Sequence, residues 1–330
     1  MLAALKNLIF LAIGALLLWL TFRHQDFSLV WEKVKTADPL YIIICCGCSV
    51  AALISRSMRW IQLIEPLGYK PRLSSTYHSL MFGYLANMAI PRLGEISRCG
   101  ALRKSDEVPF EKLVGTVIIE RLSDVFMLAL SIAITAFLEY DRLGGFLYAQ
   151  ILSPAIEKVG NGTNLIIILL IIFLAGLIGV YMLFKMSNPP ASVQKIRSVV
   201  RGIIEGLKSI ALIKNKGLFI FHTFFIWFMY FMMSYVCFFA LPETTNLGPS
   251  AGLFIMVLGG IGMTAPVQGG IGTYHLLVSQ GLILYGLSET DGIVYATMTH
   301  TVSTLLLIIL GGISMISLFF FVKTRNSAIG

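Results

Sequence analysis

The chain has 330 residues, 57% of them hydrophobic and only 13% charged, with a mean hydropathy of +0.83. That balance excludes an ordinary soluble globular domain and points to a polytopic membrane protein. On so apolar a chain the net charge of +8 reads as a topological signature facing anionic lipid headgroups, with no nucleic acid implied.

Crossing a hydrocarbon core of about 30 Å takes about 20 mostly apolar residues. The first such run, 1–22, leads straight into Thr21-Phe22-Arg23-His24 with no small-x-small cleavage site, so it reads as an uncleaved span. Runs at 39–64, 112–138, 165–184, 218–241 and 293–322 complete a set of six. Two further apolar stretches, 77–90 and 250–287, are broken by one shared pattern: Met88-x-x-Pro91-x-x-Gly94-x-Ile96 and Met263-x-x-Pro266-x-x-Gly269-x-Ile271. In a bilayer, broken backbone is tolerated only inside protein or against a watery cavity, and paired interruptions in two halves of a chain mark a transporter's binding site. The expectation is an all-α polytopic membrane protein with six spanning helices plus two re-entrant helical hairpins. They form one integral membrane domain over 1–330, an inverted repeat with halves at about 1–140 and 164–322.

Positive charge orients it. With the N-terminus cytoplasmic, only Arg23, Lys33, Lys35, Arg142 and Lys158 fall on the outer side and Arg121 inside a span; the other Lys and Arg, Arg56 and Arg59 among them, are cytoplasmic. Both termini are then expected on the cytoplasmic face of a bacterial-type inner membrane. Over 191–214 apolar residues recur at helical spacing with Lys195, Arg197, Arg201 and Lys208 on the other sector, which predicts a cytoplasmic amphipathic helix. Its Gly202-x-x-x-Gly206 leaves a homodimer open. The five cysteines lack the spacing and His partners of a zinc site and read as small packing residues.

Ionisable groups at membrane depth are expensive and therefore functional candidates. The first break reads Pro91-Arg92-Leu93-Gly94-Glu95-Ile96-Ser97-Arg98. A helix starting near Gly94 would present its positive N-terminal end, and Arg92 and Arg98 carry forks that match phosphate oxygens. Glu95 and Arg98, three apart, could instead pair with each other. Glu120-Arg121-x-x-Asp124 puts three charges within about one helical turn, which must face inward. Arg121 and Asp124 are expected to neutralise each other, leaving Glu120 to meet an arginine of the first hairpin, a coupling cation or a proton. The second break, with Gly269, Gly270, Gly272, Tyr274 and His275, offers either an anion-binding concavity or close helix packing. His275 and His300 are each either a proton carrier or a hydrogen-bonded core residue. No metal arrangement, Ser-His-Asp order, Walker loop or dinucleotide fingerprint occurs, so neither cofactor nor metal is expected.

At Arg56-x-x-Arg59-Trp60, Pro91-Arg92-x-Gly94-Glu95-x-x-Arg98, Glu120-Arg121-x-x-Asp124 and Pro266-x-x-Gly269-Gly270-x-Gly272 the chain resembles the membrane region of lysylphosphatidylglycerol synthases, the flippase-like integral membrane family. The resemblance implies the lipid-translocating half of such a synthase without its soluble transferase half, a partner role for a separate lipid-modifying enzyme, and no catalysis by this chain. Those proteins commonly carry a glutamate where this chain has His275, and the departure implies an anionic lipid lacking an amine. The function expected is movement of an anionic phospholipid or polyprenyl-phosphate headgroup. Its contacts would be Arg92, Gly94, Glu95, Arg98, Arg121, Gly269, Gly270, Gly272 and Tyr274, with coupling at Glu120, Asp124 or His275. A secondary transporter of a small soluble anion, and an intramembrane lipid transferase using Glu95, Glu120 or Asp124 as base, are the alternatives.

Overall fold

The computed structural model describes residues 12, 14–23, 25–90, 93–142, 213–265 and 267–329, and all regular structure among them is helical. A helical stretch at 14–22, α1, precedes α2 (Phe27–Lys35), α3 (Pro39–Ile64), α4 (Leu73–Ala89), α5 (Gly94–Asp106) and α6 (Phe110–Leu138). After the second stretch begins at 213 come α7 (Lys216–Val236), α8 (Pro249–Thr264), α9 (Thr273–Ile283) and α10 (Glu289–Ile329). Capping residues set the starts: Asp38 accepts from Leu40 N at 2.8 Å with Pro39 in the first turn of α3, and Asn215 accepts from Leu218 N at 3.0 Å at α7.

Among the described residues, three helical stretches are long and apolar enough to cross a membrane, Pro39–Leu67, Lys216–Ala240 and Glu289–Phe320. The span expected at 112–138 forms the 29-residue helix α6, which is not among these three apolar stretches. The one at 1–22 is described only from residue 12 as α1, and the one at 165–184 lies outside the described residues. So does the amphipathic helix expected over 191–214, except for Ile213 and Lys214, which are not helical.

Both interruptions are breaks between two short helices. Helix α4 has 17 residues and α5 13, and α8 has 16 and α9 11, each too short for an ordinary span. The physical cause is the same at each. Ile90 (φ −137°, ψ 117°) and Ala265 (φ −57°, ψ 147°) leave the helical region directly before a proline, whose ring disfavours helix at the preceding residue. Pro91, Arg92 and Pro266 themselves lie outside the described residues.

Packing follows from these lengths. Helices α3 and α7 lie against each other, α4 pairs with α5, α8 with α9, α10 runs along α4 and α9, and α6 packs on α8, α3 and α5. The turn Gln268–Gly270 rests on α4, so the second break reaches the first hairpin. One apolar core gathers Phe238, just after α7, with Ile255 of α8, Leu282 of α9 and Tyr295 of α10; another joins Trp60, Cys99, Leu102 and Leu113 at the far end of α3.

At the end where α3 begins, Lys33 Nζ lies 2.8 Å from Glu243 and 2.5 Å from Asp291. These two carboxylates, Asp291 foremost, hold the lysine's pKa above its ordinary value. Close by, Cys45 of α3 and Cys237 after α7 form a disulfide. This corrects the reading of all five cysteines as packing residues: a pairing 192 residues apart leaves no local spacing signal.

Helices α4 and α5 touch where each has a glycine. A Cβ built on Gly94 would collide with the Gly83 carbonyl and the Asn87 amide, whereas Gly100, on the same helix, faces open space. Gly94→Ala is therefore expected to lower stability by about 1–3 kcal/mol through overpacking. Gly100→Ala is expected to raise it by up to about 1 kcal/mol through helix propensity. Thermal unfolding of the two variants in detergent should move in opposite directions; equal shifts would contradict the close approach.

Candidate functional site

Helix α3 places Arg56 and Arg59 one turn apart on a face that is 4% and 0% exposed. Helix α6 answers with Glu120 and Asp124, again one turn apart. Arg56 Nε donates to Glu120 Oε1 at 2.7 Å and Nη2 to Asp124 Oδ2 at 2.5 Å, while Arg59 Nη2 donates to Asp124 Oδ1 at 2.7 Å. Arg98 of α5 brings Nη1 to 2.9 Å from Glu120 Oε2. Tyr230 of α7 accepts from Arg56 Nη1 at 3.0 Å. Charges this deeply buried persist only when paired, so the network fastens α3, α5, α6 and α7 together.

The pairing is unequal. Arg56, Arg59 and Arg98 face Glu120 and Asp124, while Arg121 and Glu95 neutralise each other at 2.9 Å on a more exposed rim. One positive charge is left over, and Arg98 is where it shows. Its Nε, Nη1 and Nη2 make no aligned hydrogen bond among the described residues, although the side chain is only 2% exposed. One face of its guanidinium lies 4.6 Å from the Trp60 ring centre. The Trp60 indole donates to Thr116 at 2.8 Å.

Arg98 borders a small cleft at the first break, lined by Leu80, Gly83, Tyr84 and Asn87 of α4, Gly94, Glu95 and Arg98 of α5, and Arg121 of α6. The start of α5 faces this space, and Asn87 Oδ1 accepts the Gly94 amide at 2.6 Å. Helix polarity, Arg98 and Arg121 give the cleft a positive lining, with Glu95 the one carboxylate on it. Such a site can receive an anionic group and present bidentate donors to its oxygens.

The second break forms a separate cluster. Gly269, Gly270 and Gly272 take φ of 58°, 71° and 84°, a region that side chains avoid. At Gly272 a Cβ would also strike the backbone of α1. His300 Nε2 donates to the Gly269 carbonyl at 2.8 Å, Tyr274 bonds Thr299 at 3.1 Å, and the His275 and His300 rings stand 4.7 Å apart.

Of the residues singled out from sequence, Gly94, Glu95, Arg98 and Arg121 thus come together at the cleft, with Glu120 directly behind Arg98 and Asp124 beside Arg56 and Arg59. Gly269, Gly270, Gly272, Tyr274 and His275 gather instead at the second break, and Arg92 lies outside the described residues. Two pairings differ from expectation: Glu95 reaches Arg121 in place of Arg98, and Asp124 holds Arg56 and Arg59 with Arg121 at 3.7 Å. Glu120 meets Arg98 of the first hairpin, one of the partners expected for it, and also Arg56 and Arg59. Arg56 and Arg59, expected in a cytoplasmic connection, are inside α3 because the carboxylates of α6 draw them in. Their spacing of three within an apolar run was the available signal. Tyr230 and Asn87 had none.

The fold and this site define a polytopic helical membrane protein with a buried arginine–carboxylate core and a cationic cleft at a helix break. The chain belongs to the lysylphosphatidylglycerol synthase TM region family, whose model matches residues 7–311. It is also 25% identical over 151 residues to the UPF0104 membrane protein MJ1595 of Methanocaldococcus jannaschii, covering 44% of each chain. The match thus spans less than half of that relative. No solved structure matches.

Proposed function

We propose that the protein is a lipid translocase that moves an anionic phospholipid or polyprenyl-phosphate headgroup across the cytoplasmic membrane and catalyses no reaction on it. The observation that carries this reading is Arg98: a buried guanidinium with unmet donors at the wall of a cleft, in a family named for a lipid synthase's membrane region. Burying donors that no acceptor meets is costly even beside the Glu120 carboxylate, and a phosphate oxygen supplies the acceptor they lack. The acyl chains stay in hydrocarbon while the headgroup passes.

The helix order long, short, short, long over α3 to α6 and again over α7 to α10 supports an inverted repeat of two re-entrant hairpins. The exchange of partners supports it too, α6 packing on the first short helix of the second half and α10 on that of the first. The disulfide at the start of α3 supports an oxidising, outer location for that end and hence the orientation expected from positive charge.

The test is a fluorescent-lipid quenching assay in proteoliposomes across a panel of headgroups. Anionic lipids should become quenchable from both leaflets and zwitterionic ones from the outer leaflet alone. If no lipid equilibrates while free phosphate or another small anion is carried, the site serves a soluble anion and the lipid reading fails.

A further inference from the structure

The carboxylates of α6 are unavailable for proton traffic: Glu120 meets Arg56, Arg59 and Arg98, and Asp124 meets Arg56, Arg59 and Arg121. The second break is different. Its two histidines, 5% and 8% exposed, have ring centres 4.7 Å apart. Since a carbonyl only accepts, the His300 Nε2 bond to Gly269 at 2.8 Å fixes Nε2 as the protonated nitrogen and leaves Nδ1 with a lone pair. The Nδ1 of His275 is buried with no hydrogen-bond partner among the described residues.

Among the described residues, what surrounds the pair is neutral. Helices α8 and α9 and the turn between them contain no Asp, Glu, Lys or Arg, and neither does α1. On α10 the acids Glu289 and Asp291 lie at its start, with Asp291 held by Lys33, and no further charge follows before Lys323. The rings touching the pair are Tyr274, bonded to Thr299, and the apolar Phe22 of α1. Helix α4, on which the turn rests, contributes His78, bonded to Ser314, and the tyrosines Tyr77 and Tyr84. Two imidazoles in contact without a counter-charge cannot both be cationic.

We propose that His275 and His300 form a single proton-binding site, taking up one proton between them, and that this proton controls the Gln268–Gly270 turn. Charging His300, or having it share a proton with His275, changes the bond that holds the Gly269 carbonyl. The turn rests on α4, and α4 supplies Leu80, Gly83, Tyr84 and Asn87 to the cleft. Proton uptake at the second break is thereby linked to the shape of the first. Its use in transport rests on the translocase reading; the proton site itself does not.

The experiment is a titration of the full chain in lipid nanodiscs from pH 8 to pH 4.5, reading proton uptake and the ¹⁵N shifts of ring-labelled histidine. The wild-type chain should show two histidines sharing one titration step. His275→Gln, His300→Gln and the double variant should each remove the same one proton, because the site needs both rings and neither holds the proton alone. Loss of two protons in the double variant, or an uptake identical to wild type, would overturn the proposal. Should a variant misfold, the ring shifts of the wild-type chain decide the matter unaided. A chain that moves no lipid yet shows the shared step refutes only the translocase reading; one that moves lipid with no histidine titrating refutes only this inference.

Discussion

Glu120→Gln is expected to destabilise the folded protein by about 3–5 kcal/mol, the range for breaking a buried ion pair from one side. Glutamine keeps the shape of the side chain and can still accept from Arg56 Nε, now at 2.7 Å from the carboxylate. What it removes is the charge. Arg56, Arg59 and Arg98, each at most 5% exposed in their side chains, would then share Asp124 alone. The natural comparison is Glu95→Gln, which breaks a single pair with Arg121 at side-chain exposures of 31% and 42%. Solvent screening limits that loss to less than about 1 kcal/mol. Thermal unfolding of both variants in the same detergent measures the contrast, and equal losses would mean that the network is not the buried fastening described above.

Much of this was legible before any coordinates, and the reasons are local. Proline constrains its preceding residue, so both helix breaks could be placed from Pro91 and Pro266, and the structure starts its non-helical backbone at Ile90 and Ala265. Glu120, Arg121 and Asp124 stood out because charge within an apolar run has few explanations. Which charge meets which was legible only in part: an arginine of the first hairpin stood among the partners expected for Glu120, and Arg98 is that arginine. Helical spacing favours Glu95 with Arg98 and Arg121 with Asp124, yet α5 and α6 cross so that Glu95 reaches Arg121 and Arg98 reaches Glu120. A pairing between helices depends on their rotation and depth, which no spacing within one helix encodes. The same holds for Cys45 with Cys237 and for the meeting of His275 with His300. Arg56 and Arg59 went astray for another reason: positive charge near the end of a span ordinarily reports a cytoplasmic connection, and only the acids of α6 show that these two are turned inward.

Arg98→Gln is expected to fail in the opposite way from Glu120→Gln, although the two residues form one ion pair. Without Arg98, Glu120 keeps Arg56 at 2.7 Å and Arg59 at 3.7 Å, so no carboxylate is stranded. The variant also removes the surplus positive charge of the buried set, leaving two arginines to two acids. Its unfolding temperature should therefore stay close to that of the wild type. Transport should not. If Arg98 supplies charge-assisted hydrogen bonds to a passing phosphate, each worth about 1.5–3 kcal/mol, movement of anionic lipid should fall by about tenfold to a hundredfold. Arg98→Lys keeps the charge but loses the fork, and should fall between the two. Arg103→Gln removes an exposed arginine from the same helix and serves as the control for charge alone. Combining Arg98→Gln with Glu120→Gln should recover part of the stability that Glu120→Gln loses, because the buried excess is reduced. Translocation at the wild-type rate by a stable Arg98→Gln protein would remove the guanidinium from the path. A stable, inactive Arg98→Gln beside an unstable Glu120→Gln would separate the part of the network that holds the helices from the part that meets the headgroup.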